Sequence, residues 1–381
     1  MILYFNAAWL NHTVVKQTII DHRGPDTFSK LTNLDRVNQS HTAWYSRKGV
    51  NRLPFKNGLT DVPGFAMPDY NADHNWSWTE ITDQRCLDLR TSHWNRPWII
   101  MWSGGIDSTV IVASLIKNLS PADFDNITIA CTSLSVWENP QFYFDYIAPN
   151  FKVADSAELL SKDFDSLDAY IVNGEPADQL FGCAGGYLSA LYQDTDLLRT
   201  NIINNRNCAI DFIANLRTDR KFAEWYYHVL VTNAASANVP VKTLYDLLWW
   251  SGFNNAWSSV LLRFIAVTCG DWKNIKNAKS YIDKFVPWYI SDHYQQWCMN
   301  PDNISEKLGA SVTEYKLAAK KYIYSVNKDQ YYFDFKTKIG SSDIFPTNRS
   351  GPWCCIDHDW NLLNLQEHQD QIISMLPDHL V

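Results

Sequence analysis

The chain has no cysteine pair with metal-ligand spacing. Its eight cysteines, Cys86, Cys131, Cys183, Cys208, Cys269, Cys298, Cys354 and Cys355, are scattered, and none forms C-x-x-C. They read as the reduced thiols of a cytoplasmic protein. Long apolar runs are also missing: none approaches the roughly 18 residues that cross a bilayer. The opening stretch MILYFNAAWLNHTVV carries no basic n-region of a signal peptide, so no membrane partner is expected. Glycine and proline number only 15 each and charged residues make up 19%, which excludes collagen-like and disordered classes. Basic residues are outnumbered 33 to 41, and a net charge of −8 argues against a broad basic face. A nucleic-acid polymer is therefore not expected as a partner, while a local basic pocket stays open.

What is present is enough apolar material for a substantial core. The 381 residues are 46% hydrophobic, and at about 150 residues per domain the length suggests two domains. Tryptophan, tyrosine and phenylalanine, at 17, 19 and 18, read chiefly as core filling. Residues 51–95, rich in Asn, Asp, Trp and Pro without clear periodicity, read as loop or linker. The run Trp98-Ile99-Ile100-Met101-Trp102 is the pattern of a strand buried on both faces. From Ser108 onward the spacing of Val112, Leu115, Ile116 and Leu119 predicts a helix that ends before Pro121. Apolar runs at Ile127 to Cys131 and Ala169 to Val172, with a helical stretch around Phe142 to Ile147 between them, continue the alternation. This implies an α/β fold built on a doubly wound parallel sheet. From about Leu188 to Tyr331 the stretches turn helical, including Phe222 to Val231 and Val241 to Trp250, so a mostly helical C-terminal half is expected to pack on the sheet.

The sharpest chemical signal is Ser103-Gly104-Gly105-Ile106-Asp107-Ser108-Thr109, between the buried run and the helix start. Glycines let backbone approach an anion, and the unpaired N–H groups at a helix N-terminus attract phosphate. The hydroxyls of Ser103, Ser108 and Thr109 add donors, and Asp107 offers a hard oxygen for Mg²⁺. The Walker spacing G-x-x-x-x-G-K-[ST] is absent. A second string, Gly174-Glu175-Pro176-Ala177-Asp178-Gln179-Leu180-Phe181-Gly182 with Gly185-Gly186-Tyr187, follows a predicted strand end. It would place Asp178 on the same sheet edge as Asp107, where two carboxylates could share one cation.

These strings resemble a known family. S-G-G-I-D-S-T looks like the pyrophosphate loop of the PP-loop ATP pyrophosphatases, which cleave ATP to AMP and pyrophosphate. G-E-P-A-D-Q-L-F-G is similar to the G-E-G-A-D-E-L-F-G of the asparagine synthetase branch. The resemblance implies ATP and Mg²⁺ as cofactors, with Ser103, Gly104, Gly105, Asp107, Ser108, Thr109, Gly174 and Glu175 binding the nucleotide and Asp107 and Asp178 holding the metal. Two departures stand out: Pro176 replaces a family glycine, removing an N–H, and Gln179 replaces a glutamate. His22-Arg23-Gly24-Pro25-Asp26 resembles the H-R-G-P-D of the family's glutaminase domain. That domain begins with a nucleophilic cysteine, whereas residue 2 here is Ile and roughly 95 residues precede the ATP loop. The expected organisation is therefore a truncated, inactive glutaminase-like region with linker at 1–95 and a synthetase domain at 96–381. Loss of the cysteine is shared with β-lactam synthetases and lasso-peptide cyclases.

Weaker likenesses lie further on. Ile282-Asp283-Lys284-Phe285-Val286-Pro287 is similar to a synthetase segment with a glutamate near the reacting centre, which nominates Asp283. Phe335-Lys336-Thr337-Lys338-Ile339-Gly340 resembles the K-x-G segment that carries a catalytic lysine, nominating Lys338 with Lys336 as neighbour; such a lysine would neutralise developing charge. The resemblance implies an ATP-dependent amide-forming ligase. Its partners would be a small-molecule or peptide carboxylate and an amine or ammonia, the latter supplied free or by a separate glutaminase. Two alternatives stay open: ATP-dependent modification of a nucleotide or nucleobase, and a non-catalytic ATP-binding partner subunit.

Overall fold

The computed structural model describes residues 2–6, 43–45, 66–156, 159, 167–182, 195–202, 204–217, 220–235, 237–255, 257, 283–336 and 353–357. The chain divides into two compact units, one of residues 1–67, 182–266 and 345–381, the other of residues 68–181 and 267–344.

In the first unit, β1 (Ile2–Asn6) is the middle of a three-stranded sheet, antiparallel to β2 (Ala43–Tyr45) and to β8 (Trp353–Asp357). The same unit contains the helices Arg206–Arg217, Arg220–Ala234 and Leu244–Asn255. The second covers the predicted stretch Phe222 to Val231, and the third overlaps the predicted Val241 to Trp250 but begins only at Leu244.

The second unit is built on a five-stranded, wholly parallel sheet, ordered β5-β4-β3-β6-β7. Its strands are β3 (Trp98–Met101), β4 (Ile127–Cys131), β5 (Lys152–Asp155), β6 (Tyr170–Asn173) and β7 (Phe285–Pro287). Trp98, Ile100, Ile127, Ile129, Ile171 and Val172 are wholly buried. That is why the central strands read as unbroken apolar runs: in a parallel sheet both faces are covered. β5 is an edge strand and mostly exposed. The α/β class expected from the alternation is therefore present. β7 lies inside the half expected to be helical; with only three residues, Phe285, Val286 and Pro287, it is too short to show a period of two.

Helix α1 (Trp78–Ser92) corrects the reading of residues 51–95 as loop. Ser77 caps it in a capping box: Glu80 N–H donates to Ser77 Oγ at 3.2 Å, and Ser77 N–H donates to Glu80 Oε2 at 2.7 Å. Its buried face is Trp78, Ile81, Thr82, Cys86 and Leu89. Only three of these are strongly apolar, so the stripe is thin, and the S-x-x-E start was the available signal. Helix α2 (Ile106–Asn118) follows β3 through a glycine turn and matches the predicted helix. Val110, Ile111, Val112 and Ala113 are all wholly buried, because α1 and the helix at 317–327 also pack on it.

No helix among the described residues is long and apolar enough to cross a membrane. Cys86, Cys131, Cys208 and Cys298 are free thiols.

Candidate functional site

Sheet order decides where a ligand can sit. From β3 the chain winds outward to β4 and β5, then returns to form β6 on the other side of β3. β3 and β6 are thus neighbours from which the winding diverges. In open α/β sheets the crevice beyond the carboxyl ends of such strands is the ligand position. β3 runs into residues 103–109 and β6 into residues 174–178. These two loops touch: a Cβ added to Gly174 would lie 3.2 Å from Asp107 Cβ and 3.4 Å from the Ser108 backbone nitrogen.

The first loop is shaped by its glycines and hydroxyls. Gly104 has φ +79°, and a Cβ there would meet the Ser135 carbonyl oxygen at 2.2 Å, so only glycine fits. Gly105 is the N-cap of α2 and offers no side chain to its first turn. Ser108 Oγ donates to Gly105 O at 3.2 Å and accepts the Ser103 N–H at 3.1 Å, closing the turn on itself. Ser103 stands exposed at the mouth, its Oγ accepting the Gly105 N–H at 3.3 Å. Thr109 is wholly buried and its Oγ1 accepts from Trp102 Nε1 at 3.1 Å. Thr109 therefore supports the loop from behind, where the sequence suggested a donor to ligand. Glu175 begins the second loop with its N–H donating to Asn173 Oδ1 at 3.1 Å.

The two carboxylates converge as expected, but on a residue the sequence did not reveal. Lys316 Nζ lies 2.5 and 2.6 Å from the two Asp107 oxygens and 2.7 Å from Asp178 Oδ1. Its side chain is 1% exposed, against 23% and 27% for the aspartates. Asp107 lies in the first turn of α2, where the field of the helix favours an anion. The ammonium also lies 5.4 Å from the Phe181 ring and 5.7 Å from the Tyr315 ring. Lys316 has φ 61° and ψ 39°, directly before the helix Leu317–Asn327. A left-handed lysine is strained and persists where its surroundings over-determine it. The one sequence signal was a cation at a helix N-terminus, against the helix dipole, and it is weak. Behind the loop, Tyr289 Oη donates to the Asp107 carbonyl at 2.9 Å.

Lys336 reaches the opposite flank. Its Nζ is 2.7 Å from Glu138 Oε1, and the two side chains are 8% and 10% exposed. Glu138 in turn packs on the glycines: its Cβ would lie 2.9 Å from a Cβ on Gly104, and its Oε1 3.6 Å from one on Gly105. Glu138 is a second charged residue that sequence reasoning passed over. Asp283 is not brought to the site. It is exposed and precedes β7 at the amino edge of the sheet, since Phe285 pairs with Ile171 and Pro287 with Asn173. Lys338 and the His22–Asp26 string lie outside the described residues.

The donor set is hard oxygen and ammonium: Asp107 and Asp178 could serve a divalent cation of the magnesium type, and Lys316 and Lys336 could serve phosphate or carboxylate. Among the described residues, no three His, Cys, Asp or Glu side chains gather as a metal cluster. Comparison of the chain with protein-family models, with curated proteins and with solved structures found no match.

Proposed function

We propose that this chain is an ATP-dependent, AMP-forming ligase of the PP-loop type that makes an amide bond. The observation that carries the reading is the convergence of Asp107 and Asp178 on Lys316 Nζ, at the point where the sheet's winding diverges. A nucleotide triphosphate would lie against Gly104, Gly105 and the first turn of α2, where backbone N–H groups and the helix dipole favour anions. The two aspartates fit Mg²⁺ in donor type and number, because magnesium usually takes one or two carboxylates and completes its shell with water and phosphate. Bound there, it would shield phosphate charge during transfer.

The chain's own groups then act by position and charge. A substrate carboxylate oxygen attacks the α-phosphorus, the bond to the β-phosphate oxygen breaks, and pyrophosphate leaves with the electron pair. Lys316 and Lys336, freed from their carboxylate partners, would face the charge that gathers on the departing phosphates. Lys338 follows Lys336 by two residues and belongs to the same proposed group. An amine or ammonia next attacks the acyl carbon and displaces AMP. The nitrogen would come from a substrate amine, free ammonia or a separate glutaminase.

The test is pyrophosphate release from ATP and Mg²⁺ on the full chain with pooled amino acids, peptides and small carboxylic acids, ammonium being supplied. Release that depends on one pool and disappears in Asp107→Asn is the expected result. Release at the same rate in Asp107→Asn would refute the assignment.

A further inference from the structure

Lys320 is a wholly buried cation on the helix Leu317–Asn327, among the buried Ala319, Tyr322 and Ile323. An apolar side chain would cost less at such a position, because a buried charge is tolerated only where it is hydrogen-bonded. Its ammonium donates to two backbone carbonyls, Thr313 O at 2.5 Å and Lys336 O at 3.2 Å, and lies 5.6 Å from the Phe333 ring. Those carbonyls belong to the two segments that bring lysines to the site. Thr313 stands three residues before Lys316, whose own carbonyl accepts the Lys320 N–H at 3.0 Å. Lys336 closes the helix Gln330–Phe335, its N–H donating to Tyr332 O at 2.9 Å. A helix end leaves carbonyls without an intrahelical partner, and a side-chain cation suits them. From this fixed point the Lys336 side chain reaches Glu138, which packs on Gly104 and Gly105. Burial pushes the Lys320 ammonium down to about 8, with Asp334 and Glu314 opposing the shift and Lys336 adding to it, so at pH 7 it keeps its charge.

We propose that Lys320 is a positioning residue of this site: it clamps the Lys336 carbonyl to the turn before Lys316 and so sets where the Lys336 ammonium stands beside the loop of residues 103–109. The proposal rests on the ATP reading above. Lys320 touches no substrate in this account and acts only through Lys336. That separates it from a lysine that merely holds the core. Removing a core lysine lowers stability, while the molecules that stay folded turn over at the parent rate. Removing a positioning lysine slows the folded molecules, and has no further effect once the Lys336 ammonium is itself absent.

The experiment is a double-substitution cycle on the full chain at pH 7: Lys320→Met, Lys336→Met, the two together, and Lys321→Met as control. Lys321 has a side chain 52% exposed. Each is read by pyrophosphate release from ATP and Mg²⁺ with the substrate pool that supports it, and by a thermal melt. The expected result is a kcat about a hundredfold lower in folded Lys320→Met, as for a catalytic group displaced by about 1 Å, with the KM for ATP little changed. The double variant should match Lys336→Met, and the control the parent. Lys336, whose side chain is 8% exposed, should become reactive to an amine-acylating reagent in Lys320→Met while staying protected in the parent, read by peptide mass spectrometry. A parental kcat in folded Lys320→Met, losses that multiply in the double variant, or unchanged protection of Lys336 each overturns the proposal and leaves the ATP reading standing. Should Lys320→Met not fold, Lys320→Gln, which keeps a donor for one carbonyl, is read in the same way; failure of both to fold assigns Lys320 to the core and overturns the proposal. Absence of release by the parent chain overturns the ATP reading and the proposal together.

Discussion

Replacing Lys316 by methionine keeps the length and apolar stem of the side chain and removes only the ammonium. What remains is two carboxylates that had converged on one atom within 2.7 Å. Removing one partner of a buried ion pair typically costs about 3–5 kcal/mol. Here the lysine is 1% exposed but the aspartates are about a quarter exposed, so water relieves part of their repulsion and about 3 kcal/mol is the expected loss. At roughly 2–4 °C per kcal/mol for a unit of this size, the melting temperature should fall by about 6–12 °C. The assay is thermal or urea unfolding of the full chain, followed by near-ultraviolet circular dichroism, which the many aromatic side chains of the sheet unit make sensitive. Two further arms check the cause. Adding Asp178→Asn to Lys316→Met should recover about half of the loss, because one of the two facing carboxylate charges is gone. Millimolar Mg²⁺ should raise the Tm of Lys316→Met more than that of the parent chain, since the vacated position lies between two hard oxygen donors. A loss below about 1 kcal/mol, with no response to either arm, would refute the account of a buried cation bridging two carboxylates.

Two other outcomes follow from single positions. Gly104→Ala should cost about 2–3 kcal/mol or displace the loop, because the added Cβ meets Ser135 O at 2.2 Å at φ +79°. Unchanged stability and ATP affinity, measured by melting and calorimetry, would contradict the loop geometry. Cys86 is wholly buried, and burial pushes its thiol up to about 12 from an ordinary 9.0. Between those values the unfolded chain sheds a proton that the folded chain keeps, so stability falls as pH rises through 9. Cys86→Ala should flatten that part of the stability-against-pH curve, and native Cys86 should resist thiol reagents at pH 8.5 while the denatured chain reacts. Rapid labelling of Cys86 in the native chain would show that the thiol is not sealed against α2.

Local chemistry alone determined a good part of this protein. The run Trp98 to Met101 read as a strand covered on both faces, and S-G-G-I-D-S-T as a tight turn opening a helix. Both are settled by neighbours a few residues away: the glycine at φ +79°, the apolar period, the hydroxyls that close the turn. Helix α1 was legible in principle through Ser77 and Glu80, but its thin apolar stripe hid it among Asn, Asp and Trp. The approach of Asp178 to Asp107 was also legible, because loops that follow neighbouring parallel strands emerge on one edge.

Tertiary structure decided the rest, and the reason is sequence distance. Lys316 is 209 residues from Asp107, and Lys336 is 198 from Glu138. No period or spacing links residues so far apart; only the order of strands and the packing of the helix 317–327 against α2 do. The same order removed Asp283, whose position beside a plausible motif counts for nothing once β7 runs parallel to β6 and leaves it on the amino edge. A sequence fixes which residues carry charge and which turns need glycine, while the partner of each buried charge is chosen by the fold, since that pairing depends on burial that exists only once the sheet and its helices have assembled.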